Sequence, residues 1–139
     1  NAINAAAGGV VSESQTAVTK GCGGIRVHTS IVSQVENLCA AAANDGLNLT
    51  GGGWRSSQEQ IRLREQHGCG GANVYNSACK GRPPTAVPGR SNHDKGLAID
   101  FRNCSSRSTA CHQWLAQNAA RFGLFNLPSE PWHWSVNGK

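Results

Sequence analysis

The chain has no dense run of basic residues, no Cys-x-x-Cys pair, no apolar stretch of membrane-spanning length and no visible leader. Each absence removes a class of function. Its 13 Lys and Arg are scattered, without the clustering and interleaved aromatics of a nucleic-acid surface, so no nucleic-acid partner is expected. A zinc-thiolate site has no close cysteine pair to start from. No segment approaches the ~20 apolar residues that cross a bilayer, so no membrane insertion is expected. Asn1 to Val11 lacks both a basic n-region and a long apolar stretch, and the chain reads as a mature or trimmed secreted form.

What is present bounds the answer further. At 139 residues the chain suits one compact domain with a real core. Hydrophobic content of 38% with 17 Gly points to a loop-rich globule. A net charge of +5 suits an anionic polymer such as a bacterial cell wall and equally suits plain solubility. Six widely spaced cysteines read as a disulfide framework, hence an oxidising, extracytoplasmic compartment. Local geometry favours sequential pairing, Cys22–Cys39, Cys69–Cys79 and Cys104–Cys111, among fifteen possible connectivities. A monomer is expected.

Residues 1–20 are small and polar without period, and are expected to be a flexible tail or linker remnant preceding a catalytic domain over 21–139. Ile31, Val32, Val35, Leu38, Cys39 and Ala42 share one helical face, capped by Thr29 or Ser30 and stopped at Asn44-Asp45-Gly46. Leu47 to Thr50 alternates like a short strand. Ser57 with Gln60 reads as a capping box for a second helix, Gln58 to about His67. Residues 68–90 are irregular, with a Cys69–Cys79 bridge as their anchor. Leu97 to Arg102 predicts a half-buried strand, Ala110 to Phe122 a third helix ending at Gly123, and Trp132 to Val136 a final strand. The order implies an α+β domain: a small antiparallel sheet backed by helices.

The candidate chemistry lies in Ser91-Asn92-His93-Asp94-Lys95-Gly96-Leu97-Ala98-Ile99-Asp100 and Glu130-Pro131-Trp132-His133. Two imidazoles and one carboxylate (His93, Asp100, His133) are the ligand set of a catalytic zinc that keeps one position open for water. Glu130, not spent as a ligand, is placed to be a general base. His93 and Asp100 cannot meet along one helix, where seven residues rise roughly 10 Å. A turn at Asp94-Lys95-Gly96 leading into the strand can fold them together, with Ala98 leaving room for an ion. Nothing around His28, His67 or His112 adds up to a site.

These segments match Ser-x-His-x-x-Gly-x-Ala-x-Asp followed by Glu-x-Trp-His at Ser91, His93, Gly96, Ala98, Asp100, Glu130, Trp132 and His133. The chain thereby resembles the D-alanyl-D-alanine carboxypeptidase family of zinc peptidases, which includes vancomycin-resistance carboxypeptidases and phage endolysins. Gly53-Trp54-Arg55-Ser56-Ser57-Gln58 is similar to a further family element in which Tyr commonly precedes the Arg. The likeness covers about Ile25 to Trp134.

The resemblance implies one Zn2+ held by His93, Asp100 and His133, with Glu130 as base. It makes Arg55 a substrate or oxyanion contact, and Ser91 and Gln60 substrate-binding. It also implies a small α+β fold and peptidoglycan stem peptides as substrate. Removal of a terminal D-alanine is the favoured reaction, because no long insert walls off the cleft to restrict it to dipeptides. The alternatives are an endopeptidase cutting D,D or L-alanyl-D-glutamyl bonds as a lysin, and a zinc-containing binding module of the hedgehog type. A disulfide-rich toxin or structural protein would need no histidines at all.

Overall fold

Ile99 and Phe101 point to one side of a short strand while Ala98 and Asp100 point to the other, and the fold is organised around that alternation. The computed structural model describes residues 10–139. Its elements are β1 (Thr16–Val18), β2 (Arg26–His28), α1 (Val32–Asn44), β3 (Gly51–Gly52), α2 (Ser57–Gln66), β4 (Ala98–Phe101), α3 (Ala110–Asn118), β5 (Phe125–Leu127) and β6 (Glu130–Ser135). Strands β3-β4-β6-β5 form one antiparallel sheet and β1-β2 a separate ribbon. The expected α+β fold with a small antiparallel sheet backed by helices is what the structure has.

Ile99, Phe101 and Trp134 meet Val35, Leu38, Cys39 and Ala42 of α1 and Leu115 of α3 in one buried core. Full burial of each large aliphatic side chain contributes about 1.5–3 kcal/mol. With the apolar face spent on the helices, the opposite face of β4 and β6 is left to polar groups. Cysteine pairing is sequential as expected, at Cα separations of 5.6 Å (Cys22–Cys39), 6.0 Å (Cys69–Cys79) and 5.0 Å (Cys104–Cys111). Among the described residues no helix is long and apolar enough to cross a membrane.

Several expectations are displaced. The tail assigned to residues 1–20 lies partly outside the described residues, and its described part is packed. Val11 is buried and donates its N–H to the Asp94 carbonyl at 3.1 Å, and Thr16–Val18 pairs with Arg26–His28. Backbone pairing needs no apolar period, so a small polar segment hid a strand. The strand expected at Leu47–Thr50 falls instead on Gly51–Gly52, opposite Phe101 and Asp100. A side chain at Gly51 would strike the Asp100 carbonyl, so glycine sets where the ladder can close. The second helix is capped one residue earlier than read, by Ser56 with Glu59 in a reciprocal capping box. The third helix tightens into a 3-10 turn over Ala119–Phe122 before the left-handed Gly123. The hairpin strand β5 was not anticipated.

Candidate metal centre

The ligand set is assembled by strand register. Asp100 lies directly opposite His133 in the antiparallel β4–β6 pair, on the face away from the core. His93 arrives from a wound turn in which Asp94, Lys95 and Gly96 donate in succession to the carbonyls of Ser91, Asn92 and His93, at 3.1–3.2 Å. Gly96 closes that turn at φ +69, and a Cβ there would lie 2.6 Å from the His28 nitrogen. The turn is therefore pressed against β2, and the chain leaves it directly into β4.

His93, Asp100 and His133 each offer one ligand atom, and these atoms lie within 4.8 Å of one another. The Asp100 Oδ1 is 3.1 Å from His93 Nε2 and 3.0 Å from His133 Nδ1. The outer nitrogens face carbonyls: His93 Nδ1 is 2.8 Å from the Gly53 oxygen, and His133 Nε2 is 2.8 Å from the Lys139 oxygen. A carbonyl only accepts, so each outer nitrogen carries the proton and donates it. Each neutral imidazole then turns a lone pair toward the same carboxylate oxygen, an arrangement that needs a positive charge between the three. A metal ion or protons can supply it, and the outer-shell carbonyls fix the ring orientations for an ion.

The electrostatics follow. Burial pushes the Asp100 carboxyl up, but hydrogen bonds from His133 and His93 outweigh it and hold the group far below the usual carboxylate range. Burial works to lower His133, yet its bond to Asp100, the Lys139 carbonyl and the charges of Asp100 and Glu130 raise it above the ordinary value. The Glu130 Oε1 stands 3.7 Å from His133 Nδ1, beside the donor cluster without belonging to it. The Asn126 amide sets this spacing by donating to the carbonyls of Glu130 (2.9 Å) and His133 (3.0 Å) where the β5–β6 register shifts.

The cluster opens on a cleft of about 650 Å³ lined by Arg55, Gln60, Ser91, His93, Asp100, Glu130, Trp132 and His133, among others. Arg55 is tied to the cluster through its backbone, which donates to the His93 carbonyl at 3.0 Å. Its Nη1 donates to Gln60 Oε1 at 2.6 Å, and Gln60 Nε2 donates to the Ala86 carbonyl at 2.7 Å. Gln60 is only 1% exposed with its amide engaged at both ends, which gives it the place of a brace for Arg55 instead of a free substrate contact. Ser91 Oγ accepts the His93 N–H at 3.1 Å and so steadies the ligand turn. His28, His67 and His112 lie outside the cluster. His28 caps the turn before α1 through Ser30, His112 pairs with the Pro131 carbonyl, and His67 bonds Thr85 on the cleft wall.

One organising residue escaped sequence reasoning. Arg64, one turn beyond Gln60 on the buried face of α2, is fully buried. Its guanidinium donates to five carbonyls, those of Asn73, Val74, Asn76, Cys79 and Thr85, at 2.7–3.0 Å. That fan gathers residues 73–85 behind Pro83, Pro84 and Thr85, which line the cleft. Its only sequence signal was the i, i+4 spacing from Gln60.

Similarities to known proteins agree with this geometry. A curated D-alanyl-D-alanine carboxypeptidase from Enterococcus faecalis is 30% identical over 133 residues, 83% of this chain and 50% of the relative. The chain thus spans about half the length of that relative. The solved structure of the LdcB LD-carboxypeptidase superposes with a TM-score of 0.70 at 20% identity, covering 90% of this chain and 69% of its own. VanYB in complex with D-alanine-D-alanine does so at 0.63 and 24%, covering 88% and 78%. A vancomycin-resistance D,D-pentapeptidase in complex with Zn(II) gives 0.61 and 23%, covering 94% and 84%. These likenesses are of fold. Residues 24–139, which hold every element of the cleft, match the model of the VanY D-alanyl-D-alanine carboxypeptidases, and the chain belongs to that family.

Proposed function

We propose that the chain is a zinc peptidase that hydrolyses peptidoglycan stem peptides, acting as a D-alanyl-D-alanine carboxypeptidase. The observation that carries the reading is the pair of imidazole lone pairs converging with the Asp100 carboxylate on one point. Two nitrogens and one oxygen suit zinc with a position open to water. Family membership supports the substrate class, and three disulfides support an extracytoplasmic location.

His93, Asp100 and His133 would hold the ion, which when bound acidifies a water and polarises the scissile carbonyl. Glu130, 35% exposed and facing the cleft, takes the proton from the attacking water and passes it to the leaving amine. Arg55, braced by Gln60, presents its guanidinium to the developing oxyanion or to the substrate carboxylate. Ser91 holds the His93 turn at the cleft edge.

Mass spectrometry of stem pentapeptides incubated with zinc-loaded protein tests the reading. Loss of a single alanine is expected, slowed by roughly 10²–10⁴ in Glu130→Gln with the metal retained. Internal cleavage would reassign the chain as an endopeptidase. No cleavage despite one bound zinc would make it a binding module.

A further inference from the structure

The cleft carries cationic side chains that form no ion pair among the described residues. Arg55, Arg90, Lys95 and Lys139 line it, against Asp100 and Glu130 as its acidic side chains. Among the described residues the ion pairs are Arg26–Glu13 and three contacts within the His93–Asp100–His133–Glu130 group. None of these four cations is in an ion pair. Asp100 is already engaged by two imidazoles, Glu130 is needed as the base, and the buried Asp94 reaches Arg55 only through longer-range attraction. A bound divalent ion would add to the positive side.

The two outer cations sit on a built rim. Asp94, fully buried, accepts the N–H groups of Gly89 (3.0 Å) and Ser91 (3.1 Å) on either side of Arg90. Lys95 follows Asp94 in the same turn that delivers His93. On its far side the turn is pinned by Asn92 Nδ2, which donates to Asn137 Oδ1 at 2.8 Å and to the Lys139 carbonyl at 2.9 Å. The backbone under Arg90 and Lys95 is thereby held in register with a metal ligand.

We propose that this rim selects stem peptides bearing a free side carboxylate on the acyl side of the scissile bond. The proposal rests on the stem-peptide reading and deepens it. A single cation such as Arg55 suffices for the terminal carboxylate that every D-alanyl peptide carries. The rim cations Arg90 and Lys95 call for further negative charge, and a stem peptide has two sources. A γ-linked glutamyl residue leaves its α-carboxylate free, and a diaminopimelyl residue adds another. Amidation removes either one. Exposed ion pairs are weak, so each contributes about two- to fivefold and both together roughly tenfold.

The test compares kcat/KM of zinc-loaded protein on two pairs of pentapeptides. One pair differs by carboxylate or carboxamide at the glutamyl α-position, with lysine third. The other differs in the same way at a diaminopimelyl third residue. The free acid is expected to be favoured roughly tenfold, mainly in KM, in whichever pair carries the recognised group, with the advantage shrinking between about 0.05 M and 0.5 M salt. Arg90→Gln with Lys95→Gln should erase the preference while leaving the amidated peptide unchanged. Equal rates within both pairs, or a preference that survives the double substitution, would overturn the proposal. If no peptide is cleaved, the peptidase reading fails separately. Calorimetric titration of the same peptides then decides the rim: tighter binding of an acid form sustains it, and equal or absent binding overturns it.

Discussion

The two walls of the cleft are held by different physics. One wall is β4 and β6, where antiparallel register sets Asp100 opposite His133 and an apolar reverse face anchors both strands to α1 and α3. The other is Pro83 to Ala86, the end of a segment from residue 73 that contains no strand and no α-helix and is gathered by the Cys69–Cys79 bridge and by five hydrogen bonds from Arg64. The first wall is specified by many residues, each replaceable in part. The second depends on one guanidinium, one bridge and a few bonds from Gln60 and His67. On the proposed function, the chemistry stands on the redundant wall and substrate shape on the wall that a few changes can remodel.

Breaking the sheet wall at its ligands gives the largest effect. His133→Ala should reduce bound zinc from one per chain to none, and activity by roughly 10³-fold or more, with the fold retained. Zinc retained at full stoichiometry would remove His133 from the ligand set. On the opposite wall, Arg64→Met leaves five carbonyls without their donor and should lower stability by about 3–5 kcal/mol. KM should rise several-fold while zinc affinity stays unchanged. The double Cys69→Ser and Cys79→Ser variant should lose about 2–3 kcal/mol, as expected for a 10-residue separation. An unchanged KM in Arg64→Met would show that the wall does not need its guanidinium.

The smallest effect separates protons from metal at the shared oxygen. In metal-free protein the raised His133 contributes stability fully present below its ordinary value of 6.5 and lost as pH rises through the folded value. The lowered Asp100 contributes above its ordinary 3.8 and is lost as pH falls through its folded value. The melting temperature of metal-free protein should therefore decline as pH rises above 6.5, by a few degrees at most. The increment from excess zinc should grow over the same interval, because the ligands bind deprotonated. Parallel pH profiles with and without zinc would contradict the arrangement.

The sheet wall was legible because its information is periodic or spaced. The alternation around Ile99 and Phe101 marked a strand, and the separation of His93 from Asp100 demanded a turn before it. The helical faces of Val35, Leu38 and Leu115 told where the core lay. The loop wall was illegible for the opposite reason. Arg64 looks like any surface arginine until residues 73–85 close around it, and no local pattern announces a fan of backbone carbonyls. The Gly51–Gly52 strand was missed because propensity disfavours glycine in strands, while close approach to Asp100 requires it there. Gln60 was legible as a site residue, yet its burial and its second bond to Ala86 depend on chain 26 residues away.

Gly53 and Arg55 grip one histidine from two directions. The Gly53 carbonyl takes the proton of His93 Nδ1, and the Arg55 N–H is donated to the His93 carbonyl. The arginine proposed to meet the substrate and the imidazole proposed to face the ion are thus one mechanical unit, joined through the backbone of residues 53–55. On the proposed function, a pull on the guanidinium by a bound peptide would reach the angle of a metal ligand, so that substrate and ion would sense each other without touching.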